Sequence, residues 1–600
     1  MTPFVLLDDS TAASSGALLY TQPERIIEAR SPGEAARAIE ALAEARARGL
    51  HLAGFLSYEL GYALEPKLSR LMPPDLAVPL LWFGVFGEPR RLSPQAVEEF
   101  LRAAPGQEYA IGDCTASMSR EDYRTRFGRA RSYIAAGDIY QLNLTFKAHF
   151  GFTGSPAALY SDLRKRQRVR HGAFISTGRE HVLSSSPELF LDIRDGHALT
   201  RPMKGTARRG RTLGEDREIA RWLAADEKSR AENLMITDLM RNDLGRVASI
   251  GSVRTPGLFD VETFATLHQM TSDVEADLRP GTGIGELLHA LFPPGSVTGA
   301  PKLRAMEIIR ELESSPRGVY TGAMGCFTPD GGASLNVAIR TLVIDAAGRG
   351  EIGIGSGVVS DSSADAEYDE CLLKMRYFTE PVRDFQLIET LRQDPQGYYL
   401  LDRHMERLES SAQYFGWPCD AAAIRAALAG EAARHPAGHH RTRLLLFADG
   451  RFTVTSAPMA PPAAAGPMSY VFSDRRVNSA EPLVYHKTTL RELYDGEHAR
   501  LSAATGADEV LFLNERGELA EGSRTSIFIR LGGRLLTPAL WSGLLPGTFR
   551  AELLATGEAE EAVLWPRDLE IAETVYLGNS VRGLLPAHAL GLPLEKASAR

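Results

Sequence analysis

Alanines and leucines recur at helical spacing from Gly33 to Arg48, which predicts a helix there. Runs such as His181 to Ile193 and Leu335 to Ile344 read instead as β-strands. This alternation continues to about Pro381, so the first half is expected to be one large α/β mixture and the chain as a whole α+β. Further along, strand-like Arg443 to Leu446 and Ser469 to Phe472 flank Ser456 to Pro467, a stretch rich in Pro and Ala without periodicity. It predicts a linker between two lobes. A strand at Glu509 to Leu513, a turn at Asn514 to Gly517, a strand at Ser526 to Ile529 and a helix opening at Leu544-Leu-Pro-Gly-Thr548 follow. No internal repeat is visible. The expected domains are 1–380 and 383–600, the second with lobes joined near 456–467.

Hydrophobic residues make up 44% of the chain and charged residues 24%, ordinary values for a protein that buries large cores. Its 67 Lys plus Arg against 76 Asp plus Glu give a net charge of −9 with no basic tract, which argues against a nucleic-acid partner. Cys114, Cys326, Cys371 and Cys419 are widely spaced and form no Cys-x-x-Cys pair, so neither a disulfide framework nor a zinc site is expected. Two acids directly follow the short apolar run at the amino terminus, and no apolar stretch reaches the roughly eighteen residues of a membrane span. A cytoplasmic protein without membrane contact is the expectation.

In Glu367-Tyr-Asp-Glu370-Cys-Leu-Leu-Lys374 the helical pattern puts Glu367, Glu370 and Lys374 on one face. A solvated face with a Glu370–Lys374 pair explains that spacing as well as a ligand site does. A second acidic helix places Glu232 beside a strongly apolar stretch, where a lone carboxylate would need a cation or a proton. Two such helices suit Mg²⁺, which takes one or two carboxylates and completes its shell with water and substrate oxygens.

Around these helices stand Tyr133-Ile-Ala-Ala-Gly-Asp-Ile-Tyr-Gln141-Leu-Asn-Leu-Thr145, Ser185-Ser-Pro-Glu188-Leu-Phe190, Arg201-Pro-Met-Lys204-Gly-Thr206, Gly295-Ser-Val-Thr298-Gly-Ala-Pro-Lys302, Ala338-Ile-Arg340-Thr341 and Gly355-Ser-Gly357. In this order they resemble the chorismate-utilising enzymes over roughly residues 1–380. The resemblance implies an α/β sandwich with antiparallel sheets, chorismate as substrate and Mg²⁺ as cofactor. Isochorismate and salicylate synthases carry a lysine where Gln141 stands, and a glutamine cannot deprotonate water, so ammonia is the expected nucleophile. Anthranilate synthases have a small residue in place of Lys204. The aminodeoxychorismate synthases within the family share the lysine, and by that likeness Lys204 attacks C2 of chorismate, which requires a neutral amine. The same likeness makes Glu188 the proton shuttle, Glu232 and Glu370 the metal ligands with Glu367 in support, and Arg340 the fork on a substrate carboxylate. Gln141, Thr298, Tyr320, Gly357 and Lys374 complete the substrate pocket, and His268 lies near the reacting face. Met203 and Ser356-Gly-Val-Val359 depart from the usual residues but keep their character. Leu6-Leu-Asp-Asp-Ser10 lacks the Leu-Leu-Glu-Ser associated with tryptophan feedback, so tryptophan inhibition is not expected.

From Arg383 to Arg600 there are 21 arginines but only two lysines, Lys487 and the terminal Lys596. A pyridoxal phosphate enzyme needs a Schiff-base lysine, a carboxylate at the pyridine nitrogen and donors for the phosphate. Lys487 is then the sole plausible lysine, Glu521 a candidate carboxylate and the helix opening at Thr548 a candidate phosphate site. Arg383 to Arg392, His404-Met-Glu-Arg407-Leu408, the Lys487 stretch, Glu521-Gly-Ser-Arg-Thr-Ser526 and Pro546-Gly-Thr548 resemble the fold-type-IV pyridoxal phosphate family over about residues 383–600. That likeness implies a two-lobed α+β domain; a homodimer formed through it is one open arrangement, since the sequence does not fix the oligomeric state. It gives Arg407 and Thr548 to the phosphate, Glu521 to the ring nitrogen, Ser526, which replaces a more usual asparagine, to the cofactor, and Thr390 to the substrate.

Together the two resemblances imply a bifunctional route from chorismate and ammonia to 4-aminobenzoate, with elimination of pyruvate as its second step. No cysteine sits in a Gly-x-Cys-x-Gly elbow, so ammonia is expected from a separate glutamine amidotransferase subunit. Two other readings stand beside this one: an anthranilate synthase with an appended aminotransferase, and a synthase with a non-catalytic second module.

Overall fold

The computed structural model describes residues 2–11, 16–379, 384–461 and 466–590. The chain divides into two units, Met1–Arg208 with Ala220–Val382, and Arg209–Ile219 with Arg383–Arg600. Among the described residues no helix is long and apolar enough to cross a membrane.

In the first unit the site draws on eight strands: β1 (Gln141–Gly154), β2 (Glu180–Ser186), β3 (Leu189–Arg194), β4 (Met203–Arg208), β5 (Leu267–Thr271), β6 (Ala333–Val337), β7 (Thr341–Asp345) and β8 (Arg349–Val358). It also draws on two helices, α1 (Glu227–Gly245) and α2 (Ala364–Thr379). An eleven-stranded sheet contains β1, β8, β7 and β2 as successive neighbours, an eight-stranded sheet contains β3 next to β6, and a three-stranded sheet pairs β4 with β5. Their pairings are antiparallel. Three apolar layers explain how they stack. Val5, Tyr20 and Ile175 of the larger sheet meet Phe55, Trp82 and Met324 of the smaller one. The other face of the larger sheet packs Leu144 and Phe146 against Tyr123 and Tyr368, and the other face of the smaller packs Ile193 and Leu335 in one cluster with Ile236 and Met240 of α1. The result is a helix–sheet–sheet–helix sandwich, the arrangement in which amphipathic helices bury their apolar stripes on sheet faces.

The runs His181 to Ile193 and Leu335 to Ile344 are not single strands, as their sequence suggested. Each crosses from one sheet to the other, at Ser186-Pro-Glu188 and at Ala338-Ile-Arg340 respectively. Proline has no N–H to give a ladder, and Arg340 takes a left-handed φ of 50°, so both runs are interrupted at these points. The crossovers are bonded to one another: Val337 N–H donates to Glu188 O at 3.0 Å and Ser185 N–H to Arg340 O at 3.0 Å.

In the second unit β9 (Leu387–Asp394) lies inside a four-stranded sheet, and β10 (Glu509–Asn514), β11 (Leu519–Gly522) and β12 (Ser526–Leu531) belong to an eight-stranded one. The helices that frame its site are α3 (Leu401–Phe415), α4 (Glu492–Thr505) and α5 (Thr548–Ala555). Leu387 and Leu391 of β9 bury against Met405, Leu408 and Ala412 of α3, a stripe at spacings of three and four. The expected interlobe linker begins inside a strand, Phe452–Met459, and residues 462–465 lie outside the described residues.

Candidate active sites

Strand β1 alternates strictly. Leu142, Leu144, Phe146 and Ala148 face the apolar layer, so Gln141, Asn143, Thr145 and Lys147 share the opposite face, and all four are buried too. Buried polar groups need partners. Thr145 has Glu313, whose carboxylate accepts from its N–H and hydroxyl at 2.9 Å each, and Lys147 pairs with Glu351 at 2.7 Å. For Gln141 neither the amide oxygen nor the nitrogen has a hydrogen-bond partner among the described residues. Beside this face runs β8, whose Gly353, Gly355 and Gly357 pair with Lys147, Thr145 and Asn143. The absence of side chains there makes room. A Cβ at Gly353 would lie 2.1 Å from the Tyr320 ring, and one at Gly357 would lie 2.0 Å from Lys204 Nζ and 3.6 Å from Gln141 Nε2. The stripped strand thus admits Lys204 and Tyr320 to the floor of the site.

Lys204 is carried by β4 and followed by Gly205, whose φ of 100° favours glycine. Asn233 of α1 fixes the local backbone by donating to Lys204 O at 3.1 Å and Met270 O at 3.3 Å. Desolvation lowers the Lys204 pKa, and Lys374 adds to that, while Glu232, Glu370 and Glu367 oppose it. Those three acids therefore converge on the amine from α1 and α2. Burial raises the Glu232 carboxyl, with Lys204 the first opposing influence. Glu370 is subject to the same burial, but Lys374, paired with it at 2.7 Å, brings its pKa below the usual value. Lys374 also donates to Gly355 O at 2.9 Å.

Glu188, at the first crossover, is buried and accepts from the Ser296 hydroxyl at 2.5 Å. Desolvation pushes its pKa up to about 7, against smaller opposing effects from Ser296, the Met203 N–H and Lys204. A carboxyl that holds its proton near neutrality is suited to donate it. At the second crossover desolvation pushes Arg340 down to about 10; its Nη1 is buried with no partner among the described residues, and the ionisable group that acts on it there is Tyr377 of α2. A substrate carboxylate would give a guanidinium in that position a counter-anion. Thr298 is buried and donates to Pro294 O at 2.8 Å, and burial raises the Tyr320 phenol. His268 lies buried on β5 opposite Ala207 of β4, with Nδ1 3.0 Å from the Thr263 hydroxyl. These contacts link Lys204 with Gln141, Glu188, Gly357, Lys374 and the three acids; Arg340 and His268 are placed on adjoining elements. No group of three or more His, Cys, Asp or Glu side chains among the described residues is arranged to hold a metal ion.

In the second unit Lys487 is pinned to β9, where Ile388 N–H donates to Lys487 O at 2.9 Å. Burial, then Arg407 and Arg491, push its pKa down to about 8. Glu521 falls inside a short strand of its own, β11, where burial raises its carboxyl to about 7; Tyr494 of α4 donates to it at 2.7 Å and Leu545 N–H at 3.2 Å. Gly547 precedes α5, and a Cβ there would stand 2.7 Å from the Ser526 hydroxyl oxygen, so backbone and Ser526 approach closely at the helix start. Thr548 opens α5, whose first turn has amides with no side-chain cap. Arg407 reaches toward the same turn, donating to Pro546 O at 3.2 Å. Thr390 pairs with Arg443 on the four-stranded sheet, two residues beyond Ile388. Lysine, carboxylate, arginine and helix start therefore surround one site. Sequence reasoning missed Ser296 and Tyr494, and also Glu389, which accepts from Arg407 at 2.6 Å, and Ser580, 3.0 Å from His404 Nε2; of these only Glu389, adjacent to Thr390 and followed by a helix with His404 and Arg407 at a spacing of three, left a readable signal.

Residues 2–380 match the family model described as chorismate binding enzyme, and residues 386–590 the one described as amino-transferase class IV. Aminodeoxychorismate synthase component 1 of Klebsiella aerogenes is 39% identical over 340 residues, covering 54% of this chain and 75% of that protein. The protein of the same name from Escherichia coli is 37% identical over 340 residues, covering 54% and 74%. The solved structure of anthranilate synthase component I from Streptococcus pneumoniae superposes with a TM-score of 0.53 at 26% identity, covering 62% of this chain and 93% of that one.

Proposed function

Because the chain belongs to the chorismate binding enzyme family through residues 2–380, we propose that its first unit aminates chorismate at C4 and that its second unit converts the product to 4-aminobenzoate and pyruvate. The observation that carries the first step is the placement of Lys204 beside Gln141 rather than beside a base for water. Desolvation favours the neutral amine. Its lone pair forms a bond to C2 of chorismate, both conjugated ring double bonds shift toward C4, and the C4–O bond breaks, the hydroxyl leaving as water with the proton held by Glu188. Ammonia then bonds to C4, both double bonds shift back, the C2–N bond breaks, and Lys204 is expelled as the amine. Gln141 offers its amide to the substrate, and Arg340 pairs with a carboxylate. Glu232 and Glu370, with Glu367 in support, would hold Mg²⁺, for which one or two carboxylates with water and substrate oxygens suffice, and the ion would supply positive charge near a substrate carboxylate. Ammonia would come from a separate glutamine amidotransferase, in keeping with the component I relatives.

The match to class IV aminotransferases implies pyridoxal phosphate. The residues of the second unit fit it: a lysine with a depressed pKa, a raised carboxyl for the ring nitrogen, and Arg407 with the α5 amides for the phosphate. When bound, the cofactor supplies an electron sink for the carbon bearing the substrate's amine. With the cofactor held there, Lys487 would take the proton from C4 of the substrate and Glu521 would keep a proton at the ring nitrogen. The C3–O bond then breaks, enolpyruvate leaves and becomes pyruvate, and the ring is left aromatic. Thr390 borders the substrate.

Incubating the purified protein with chorismate, Mg²⁺, an ammonium salt and pyridoxal phosphate tests both units at once. 4-Aminobenzoate and pyruvate are the expected products. Anthranilate would overturn the role of Lys204, and accumulation of 4-amino-4-deoxychorismate would overturn the lyase assignment.

A further inference from the structure

Glu389 is the most completely enclosed acid of the second unit's site, at 1% exposure, and the roles proposed above do not use it. It sits on β9 between two residues of α3. Arg407 donates to it through two nitrogens, Nε at 2.9 Å and Nη2 at 2.6 Å, and His404 Nδ1 lies 2.6 Å from the same carboxylate. Burial alone would raise its pKa, but Arg407 and His404 outweigh it and hold the carboxyl down at about 2. Burial lowers the His404 pKa, with Glu389 opposing, which favours the neutral imidazole. A carboxylate accepts only, so the proton of the neutral imidazole belongs on Nδ1 and Nε2 is left as an acceptor. Two hydroxyls surround Nε2: Ser580 at 3.0 Å and Thr548 at 3.4 Å.

We propose that Glu389 is the positioning residue for the cofactor's phosphate: it locks the Arg407 guanidinium in one plane and, through His404, fixes which hydroxyl can serve the phosphate. This rests on the reading of the second unit as a pyridoxal phosphate enzyme. A phosphate dianion needs donors. Ser580, the nearer hydroxyl, gives its proton to Nε2, which leaves the Thr548 hydroxyl free to donate to the phosphate at the start of α5. Two of the Arg407 nitrogens are committed to Glu389, so only Nη1 and the outer edge of Nη2 point onward, and Nη1 already meets Pro546 O in the turn before that helix. Glu389 also shares β9 with Ile388, which bonds the Lys487 carbonyl. One strand thereby sets the spacing between the phosphate end and the lysine end of the site.

A carboxylate this close to a phosphate also repels it, so removing Glu389 sets loss of position against relief of charge, and the experiment reads which wins. Full-length protein freed of cofactor is titrated with pyridoxal phosphate and, separately, with pyridoxal, which lacks the phosphate, following the visible absorbance of the lysine-bound chromophore. In Glu389→Gln the affinity for pyridoxal phosphate is expected to fall at least about tenfold, the scale of a lost hydrogen bond to a charged group, with pyridoxal affected within about twofold. Glu389→Asp should recover part of the loss. Thr548→Val should cost more phosphate-dependent affinity than Ser580→Ala. Unchanged or tighter binding of pyridoxal phosphate in Glu389→Gln would overturn the proposal, as would equal weakening toward both compounds, which marks a structural role, or the reverse order of the two hydroxyl variants. Absence of the chromophore in the unaltered protein would instead refute the assignment of pyridoxal phosphate itself.

Discussion

Gly357→Ala separates the chemistry of the first site from its folding. The added Cβ would stand 2.0 Å from Lys204 Nζ, whereas ordinary contacts begin at 3.4 Å, so the amine must retreat by about 1.5 Å. The backbone itself accepts alanine: Gly357 lies within a ladder strand, outside the left-handed region, and no main-chain atom is among its nearest contacts. A lysine tip moves at little cost, so the folding penalty should stay below about 1 kcal/mol. The chemical penalty is larger, because a misplacement of about 1 Å at a reacting atom costs on the order of a hundredfold in rate. Gly355→Ala is the contrasting variant. Its Cβ would meet Leu144 O at 2.8 Å and the β-branched Thr145 at 2.6 Å, neither of which can yield, so stability should fall together with activity. Thermal unfolding and the rate of chorismate amination with saturating ammonium, measured on both variants, check this. A Gly357→Ala enzyme with unaltered Tm and unaltered kcat/KM would refute the covalent role of Lys204. A large drop in Tm would refute the account of the stripped strand.

Other expectations follow from the buried charges. With the Glu188 carboxyl raised to about 7, its proposed role as the acid requires that kcat for amination decline as pH rises through about 7, and that Glu188→Gln lower kcat by about 10²–10⁴ and abolish that pH dependence. Arg340→Met should raise the KM for chorismate strongly while leaving the substrate-free protein as stable or more stable, since desolvation disfavours the charged guanidinium and its Nη1 is buried with no partner among the described residues; a stability loss above about 2 kcal/mol would mean the arginine is structural. Lys487→Met should abolish visible absorbance and stabilise the cofactor-free protein at pH 7 by about 3 kcal/mol, because the folded lysine titrates near 8 rather than 10.5. The sign is fixed by linkage: the unfolded chain binds the proton more tightly, so the penalty is full below pH 8 and fades between about pH 8 and 10.5. Urea unfolding across that range checks it.

Several parts of this arrangement were legible in the sequence and others were not, for reasons that lie in the residues. Short-range periodicity identified the helix bearing Glu367, Glu370 and Lys374, because a helix face is a local property. The same reasoning fused strands on either side of Glu188 and Arg340, since a strand that changes sheets keeps its alternation and only the partner changes. Pro187 was the available cue, a residue with no place in a central ladder. The polar face of β1 was equally available: Gln141, Asn143, Thr145 and Lys147 alternate with Leu142, Leu144, Phe146 and Ala148, and a strand with that pattern reads as half-exposed. It is instead buried on both faces, and burial could not be seen from one strand alone. The partner that makes it informative is β8, whose glycines at 353, 355 and 357 share one face and read locally as a weak strand. Only the register that sets Gly357 against Asn143 turns those glycines into the space that Lys204 fills. Ordered motifs and their likeness to a family therefore named the candidate groups, while the cavity in which those side chains meet is encoded in long-range pairing, where no single segment records it.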